Sequence, residues 1–122
     1  MKKLTYLLIT ALTLNSCYLF RENGIEVEIE NNSAAPIYDV KFTTSEKLNS
    51  VDFAAISTNE RVSDFLRMSE NKIDGSYVLE FTRENGEKEI SKAGYYTNGG
   101  SLDSRVVFKI EKDTVFASTS QY

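Results

Sequence analysis

The chain has 122 residues, with 18 acidic and 14 basic side chains, a formal charge of −4, one cysteine and no histidine. That inventory excludes an internal disulfide, the zinc sets and triads built on histidine or several cysteines, and the basic surface a nucleic-acid partner requires. A P-loop, a dinucleotide fingerprint and an EF-hand loop are missing too.

Met1-Lys2-Lys3 gives a short positive start, residues 4–14 form an apolar run broken only by threonines, and Asn15-Ser16 precedes Cys17. This is the layout of an export signal. The run is shorter than the roughly 20 apolar residues that a membrane-crossing helix needs, so cleavage fits better than a permanent span.

Leu14-Asn15-Ser16-Cys17 resembles the lipobox of bacterial lipoproteins, with an aliphatic residue three places before the cut, a small residue just before it, and then cysteine. The resemblance implies cleavage between Ser16 and Cys17 and a diacylglyceryl group on the Cys17 thiol. The new amine is then a further site for acylation, palmitate being one acyl group of this kind. Asn15 departs from the usual small or aliphatic choices. One acyl chain holds a protein to a membrane only marginally, whereas two or more hold it stably. The expected organisation is a signal peptide over 1–16, a lipidated cysteine and tether over 17–24, and one domain over 25–122.

Removing 16 residues from 122 leaves 106, with 12 basic and 18 acidic side chains and a formal charge of −6. That length suits one small domain with a single core. In the tether, Tyr18, Leu19 and Phe20 are apolar and suit either the headgroup level or a place beneath the domain.

Period-two alternation begins at Ile25, where Ile25, Val27 and Ile29 face one way and Glu26, Glu28 and Glu30 the other, the pattern of a half-buried strand. Asn31-Asn32-Ser33 reads as a turn, and Pro36 opens a second strand in which Tyr38, Val40 and Phe42 alternate with polar residues. Further strands are expected near 51–56, 61–68, 76–82, 87–93, 105–111 and 114–118. In the fourth, the string NERVSDFLRM also suits a helix capped by Asn59, and the strand is preferred. Asn85-Gly86 predicts a hairpin closed by a type I′ turn. Lys112-Asp113 suits another tight turn, and Asn98-Gly99-Gly100 a loop. The expectation is all-β: a small antiparallel β-sandwich of seven to eight strands.

Asp74-Gly75-Ser76-Tyr77 resembles the tyrosine corner of immunoglobulin-like sandwiches and the equivalent string of transthyretin-like domains. The resemblance implies a Tyr77 hydroxyl bonded back to its own loop and a core position for Leu79. More broadly, Asn31 to Ser33, Ser63, Asp74 to Tyr77, and Gly94-Tyr95 with Asn98-Gly99 resemble small uncharacterised bacterial lipoproteins with such a sandwich. That likeness implies no activity.

Neighbours on a strand point to opposite faces, so one of Tyr95 and Tyr96 should be buried and the other exposed. Tyr95, Tyr96 and Asn98 are the candidate binding residues, since exposed tyrosine is enriched at interfaces. The competing reading is an ordinary surface strand. Asp103 with residues 98–101, or Glu60 with Asp64, supplies oxygen ligands without the spacing of a calcium motif, and neither metal nor cofactor is expected.

The function expected is a non-catalytic lipoprotein of the bacterial envelope, an interaction or accessory module whose partners are the membrane, through its lipid anchor, and another envelope protein. A glycan or small-ligand binder and an immunity-type inhibitor are the alternatives. The resemblance to enteric lipoproteins, in which Asp after the cysteine goes with inner-membrane retention, implies the outer membrane for a chain with Tyr18 there, and the absence of an acidic run after Cys17 implies its periplasmic face.

Overall fold

Ile25, Val27 and Ile29 turn inward and are buried, while Glu26, Glu28 and Glu30 turn outward, so the first alternating segment becomes a strand with one greasy and one charged face. The computed structural model describes residues 22–122, leaving Cys17, Ser16 and the export signal outside the described residues. The strands are β1 (Gly24–Asn31), β2 (Ile37–Thr44), β3 (Ser50–Ile56), β4 (Arg61–Arg67), β5 (Gly75–Arg83), β6 (Lys88–Thr97), β7 (Gly100–Ser101), β8 (Asp103–Ile110) and β9 (Val115–Gln121). All eight expected strands are present, and the string after Asn59 is a strand rather than a helix. The ninth is the two-residue β7, which lies in the segment expected to be a loop.

Two sheets pack face to face, one ordered β4-β1-β8-β9 and the other β3-β2-β5-β6-β7. The sandwich is not wholly antiparallel, because β1 and β8 run parallel, with Val27 beside Val106 and Ile29 beside Phe108. An immunoglobulin sandwich would pair the first strand with the second and the second with the fifth in one sheet. Here β1 instead lies between β4 and β8, apart from β2.

The core lies between the sheets. Phe42 of β2 meets Phe108 of β8 edge-on at 5.9 Å across the interface and stacks on Tyr77 at 6.1 Å; Tyr77 in turn lies 5.6 Å from Tyr96. Such pairs add roughly 0.5–1.5 kcal/mol each beyond simple area burial. On the outer face of the first sheet, Arg61 pairs with Glu28 at 3.2 Å and Glu30 at 2.6 Å, and Arg105 reaches Glu26 at 3.1 Å.

The Asn-Gly turns differ from expectation. At Asn85-Gly86 only Gly86 has positive φ, at 85°, and the Gly86 and Arg83 amides donate to Arg83 O and Glu87 O respectively. This is a three-residue loop with glycine in the left-handed position, not a type I′ turn. The type I′ geometry occurs instead at Asn98-Gly99, with φ of 49° and 74°, which folds β7 back on β6. Lys112-Asp113 forms the expected tight turn, with the Glu111 amide 2.9 Å from Thr114 O.

Asn31 is buried and closes the far end of the first sheet. Its Oδ1 accepts from the amide and hydroxyl of Ser33 at 3.1 and 2.6 Å, while its Nδ2 donates to Ala35 O and Ile56 O at 2.9 and 3.0 Å. The expected Asn31-Asn32-Ser33 turn is thus held by its own first side chain, which satisfies donors and acceptors that burial would otherwise leave costly.

Candidate functional site

The candidate residues gather at the end of the sandwich where β1 begins. Gly94, at φ 66°, is the extra residue of a bulge in β6, and the register against β5 shifts between Tyr77 and Gly75. Beyond it, Tyr95 turns outward and is 50% exposed, while Tyr96 turns inward and is buried. The opposite faces read from the sequence are observed. Tyr96 is a core residue shielded from solvent, whereas Tyr95 and Asn98 stand at the surface.

Asp74 organises this surface. Its Oδ2 accepts from the Tyr95 hydroxyl at 3.0 Å and its Oδ1 from the Asn98 amide at 2.8 Å, joining the loop before β5 to the β6–β7 turn. The accepted hydrogen bond and the negative charge of Asp74, together with partial desolvation, hold the Tyr95 phenol above its ordinary range.

Beneath lies a partly buried polar knot that the sequence did not announce. The Tyr96 hydroxyl donates to Glu46 Oε2 at 2.8 Å. Asn71 Nδ2 donates to the same oxygen at 2.7 Å and to Thr44 Oγ1 at 3.0 Å, and the Lys72 amide reaches Glu46 Oε1 at 3.3 Å. Desolvation alone would raise the Glu46 carboxyl, but hydrogen bonds from Asn71, Tyr96 and the amides of Lys72 and Ile73 outweigh it and hold the group below its ordinary 4.5. A Cβ at Gly75 would run into Ser45 Oγ and the Tyr96 hydroxyl, so the glycine of the Asp-Gly-x-Tyr string makes room for this knot.

Tyr77 departs from the tyrosine-corner expectation. Its hydroxyl bonds not to its own loop but to Ser101 Oγ on β7, at 2.6 Å. Because Ser101 Oγ donates its single proton to Asp103 O at 2.6 Å, the Tyr77 hydroxyl is the donor. Burial pushes the Tyr77 phenol up to about 12. Leu79 occupies the core position expected of it.

Asn23 ties the start of the domain to the same end. Its Nδ2 donates to Gly99 O at 2.7 Å and Met68 O at 3.0 Å, its Oδ1 accepts from the Ser101 amide at 3.2 Å, and Glu22 beside it pairs with Arg67 at 2.9 Å. The Gly99 amide donates to Ile73 O at 2.9 Å. The loops around Asn98 therefore form a braced platform, with hydrogen-bonding edges at Tyr95 and Asn98.

Among the described residues, no group of three or more aspartate, glutamate, histidine or cysteine side chains is arranged to hold a metal ion. A separate concavity lies on the outer face of the second sheet, an open groove of about 720 Å³ lined by Asp39, Lys41, Asp52, Phe53, Glu80 and Ile90. It follows a break in the β2–β5 register, where Asp39 adopts a φ of 49°. An alternating apolar pattern gives no sign of that break, which is why the groove is not readable from sequence.

No protein-family model matches the chain, and no curated protein matches it. A solved structure described as the NMR structure of the protein from Eubacterium rectale superposes with a TM-score of 0.50 at 13% identity, covering 82% of this chain and 91% of that one. At that identity the likeness concerns the fold alone.

Proposed function

We propose that this chain is a non-catalytic lipoprotein of the bacterial cell envelope, held by acyl chains on Cys17, whose sandwich serves as an interaction or accessory module for another envelope protein. The carrying observation is the order of signals in the first 17 residues: a basic start, an apolar run, and Leu14-Asn15-Ser16-Cys17 with the single cysteine of the chain at its end. A thiol that has no disulfide partner within the chain and follows a cleavable apolar segment is well placed to carry a lipid.

The non-catalytic part is supported by a chain without histidine and by carboxylates at the candidate site, Glu46 and Asp74, that accept hydrogen bonds from neighbouring elements. In the outer membrane, facing the periplasm, such a module would be fixed in place by its lipid and would present its loops to a partner.

The test is intact-mass analysis and membrane fractionation of the protein made in its host, beside Cys17→Ala. A mature mass that starts at Cys17 and carries added diacylglyceryl, with membrane association lost in the variant, is expected; crosslinking in the envelope then identifies the partner. A soluble, unacylated wild-type protein would overturn the reading.

A further inference from the structure

The two ends of the sandwich differ in their exposed side chains. At the end where β1 begins, Leu48, Ile73 and Leu102 are 47%, 61% and 51% exposed, and Tyr95 and Tyr122 are 50% and 57% exposed. They lie on the β2–β3 loop, the β4–β5 loop, the β7–β8 junction, the end of β6 and the residue after β9. Hydrogen bonds hold these places together: Asn49 Nδ2 donates to Arg67 O, Gly99 N to Ile73 O, Tyr95 to Asp74, and the Tyr122 hydroxyl to Gly24 O. At the opposite end, the connections 32–36, 57–60, 84–86 and 111–114 carry no exposed large hydrophobic side chain, and the remaining exposed ones lie within strands.

Aliphatic tips on several loops at one end, accompanied by tyrosines, are costly in water and suited to the interface of a bilayer, where tyrosine sits at headgroup level. Lys47 and Lys72, each next to one of these tips, are exposed and long enough to reach headgroups while their stems stay among apolar groups. Of the carboxylates at this end, Glu46 and Asp74 already accept hydrogen bonds from neighbouring elements, and Glu70 on the β4–β5 loop is exposed beside Lys72. Glu22, the first described residue, is paired to Arg67 at the same end and stands five residues after Cys17. Fully extended, that connection spans at most about 18 Å.

We infer that the end of the sandwich bearing Leu48, Ile73, Tyr95, Leu102 and Tyr122 docks on the lipid surface, leaving the loops 32–36, 84–86 and 111–114, which expose no large hydrophobic side chain, directed away from the membrane. The short connection to Cys17 rests on the lipoprotein reading; the surface itself rests on the placement of the side chains. The acyl chains supply attachment, and the tips supply orientation. Tyr95 and Asn98, the candidate binding residues, then lie at the bilayer, and a protein partner meets the opposite loops.

The test places a spin label on an added cysteine, one at a time, at Leu48, Ile73, Leu102, Asn85 and Asp113 of the full-length protein produced and processed in its host. Each is reconstituted in phosphatidylethanolamine–phosphatidylglycerol vesicles, with intact mass recorded on the same preparation. All five sites are exposed, so the fold tolerates the labels. Labels at 48, 73 and 102 are expected to be relaxed by membrane-dissolved oxygen and shielded from a water-soluble relaxant, with the order reversed at 85 and 113. Acylated protein with all five labels in water would overturn the docking end alone. Unacylated protein whose labels at 48, 73 and 102 still contact lipid would uphold the docking end and overturn the anchor. Unacylated protein with every label in water would overturn both.

Discussion

Glu46 belongs to no strand, yet it receives hydrogen bonds from Tyr96 and Asn71, residues 50 and 25 positions further along the chain. Its carboxyl is held below the ordinary 4.5, so the charged form contributes stability at pH values above that figure and loses it as pH falls through the lower, folded value. Melting temperature measured across a series of acidic buffers should drop for the wild type below about pH 4.5, and Glu46→Gln should flatten part of that drop while lowering stability near neutrality. Equal slopes in the two proteins would show that Glu46 is not a source of the acid sensitivity. Nothing near residue 46 in the sequence points to this role. The carboxylate earns its place through partners that only the folded chain brings within reach, whereas the opposite faces of Tyr95 and Tyr96 follow from strand geometry alone.

Arg83 shows how two elements are locked together. At the end of β5 it makes a bidentate pair with Glu89 of β6, at 2.7 and 3.0 Å, and donates to Glu111 O beyond β8 at 2.9 Å, while its guanidinium lies 5.4 Å from the centroid of the Phe81 ring. One planar group thereby joins the β5–β6 hairpin to the β8–β9 turn of the facing sheet. The hydrogen bond and charge of Glu89 raise its pKa against a smaller desolvation effect, so it stays charged throughout the working range. Arg83→Lys keeps the charge and loses the fork, and urea unfolding should find it about 1–3 kcal/mol less stable than the wild type, nearly as weak as Arg83→Ala. Full rescue by lysine would mean that charge alone matters there. The spans of eight strands were legible because side-chain alternation reports which residues face a core. It is silent on which strand lies alongside, so the parallel β1–β8 pair and the Asp39 irregularity stayed hidden. Asn-Gly occurs three times: at Asn23-Gly24 it leads straight into β1, and at Asn85-Gly86 and Asn98-Gly99 it marks a turn whose type is decided by the loop length, three residues after Arg83 and two after Thr97.

Across the whole molecule, stability should be graded from one edge inward. β1 sits between β4 and β8 with its inner residues buried, while β9 borders β8 alone and is exposed along nearly all its length. Hydrogen–deuterium exchange should therefore show β1 amides among the slowest and β9 amides exchanging through local opening long before global unfolding. Indistinguishable protection in the two strands would mean that the sandwich opens only as a unit. The central place of β1 also has a mechanical side. Under the proposed anchor at Cys17, a pull along the axis of β1 would enter at Gly24 and load the hydrogen bonds to β4 and β8 together, in shear, instead of opening them one by one. The strand that follows the proposed tether would then be one held on both sides, where the exposed edge strand β9 is held on one.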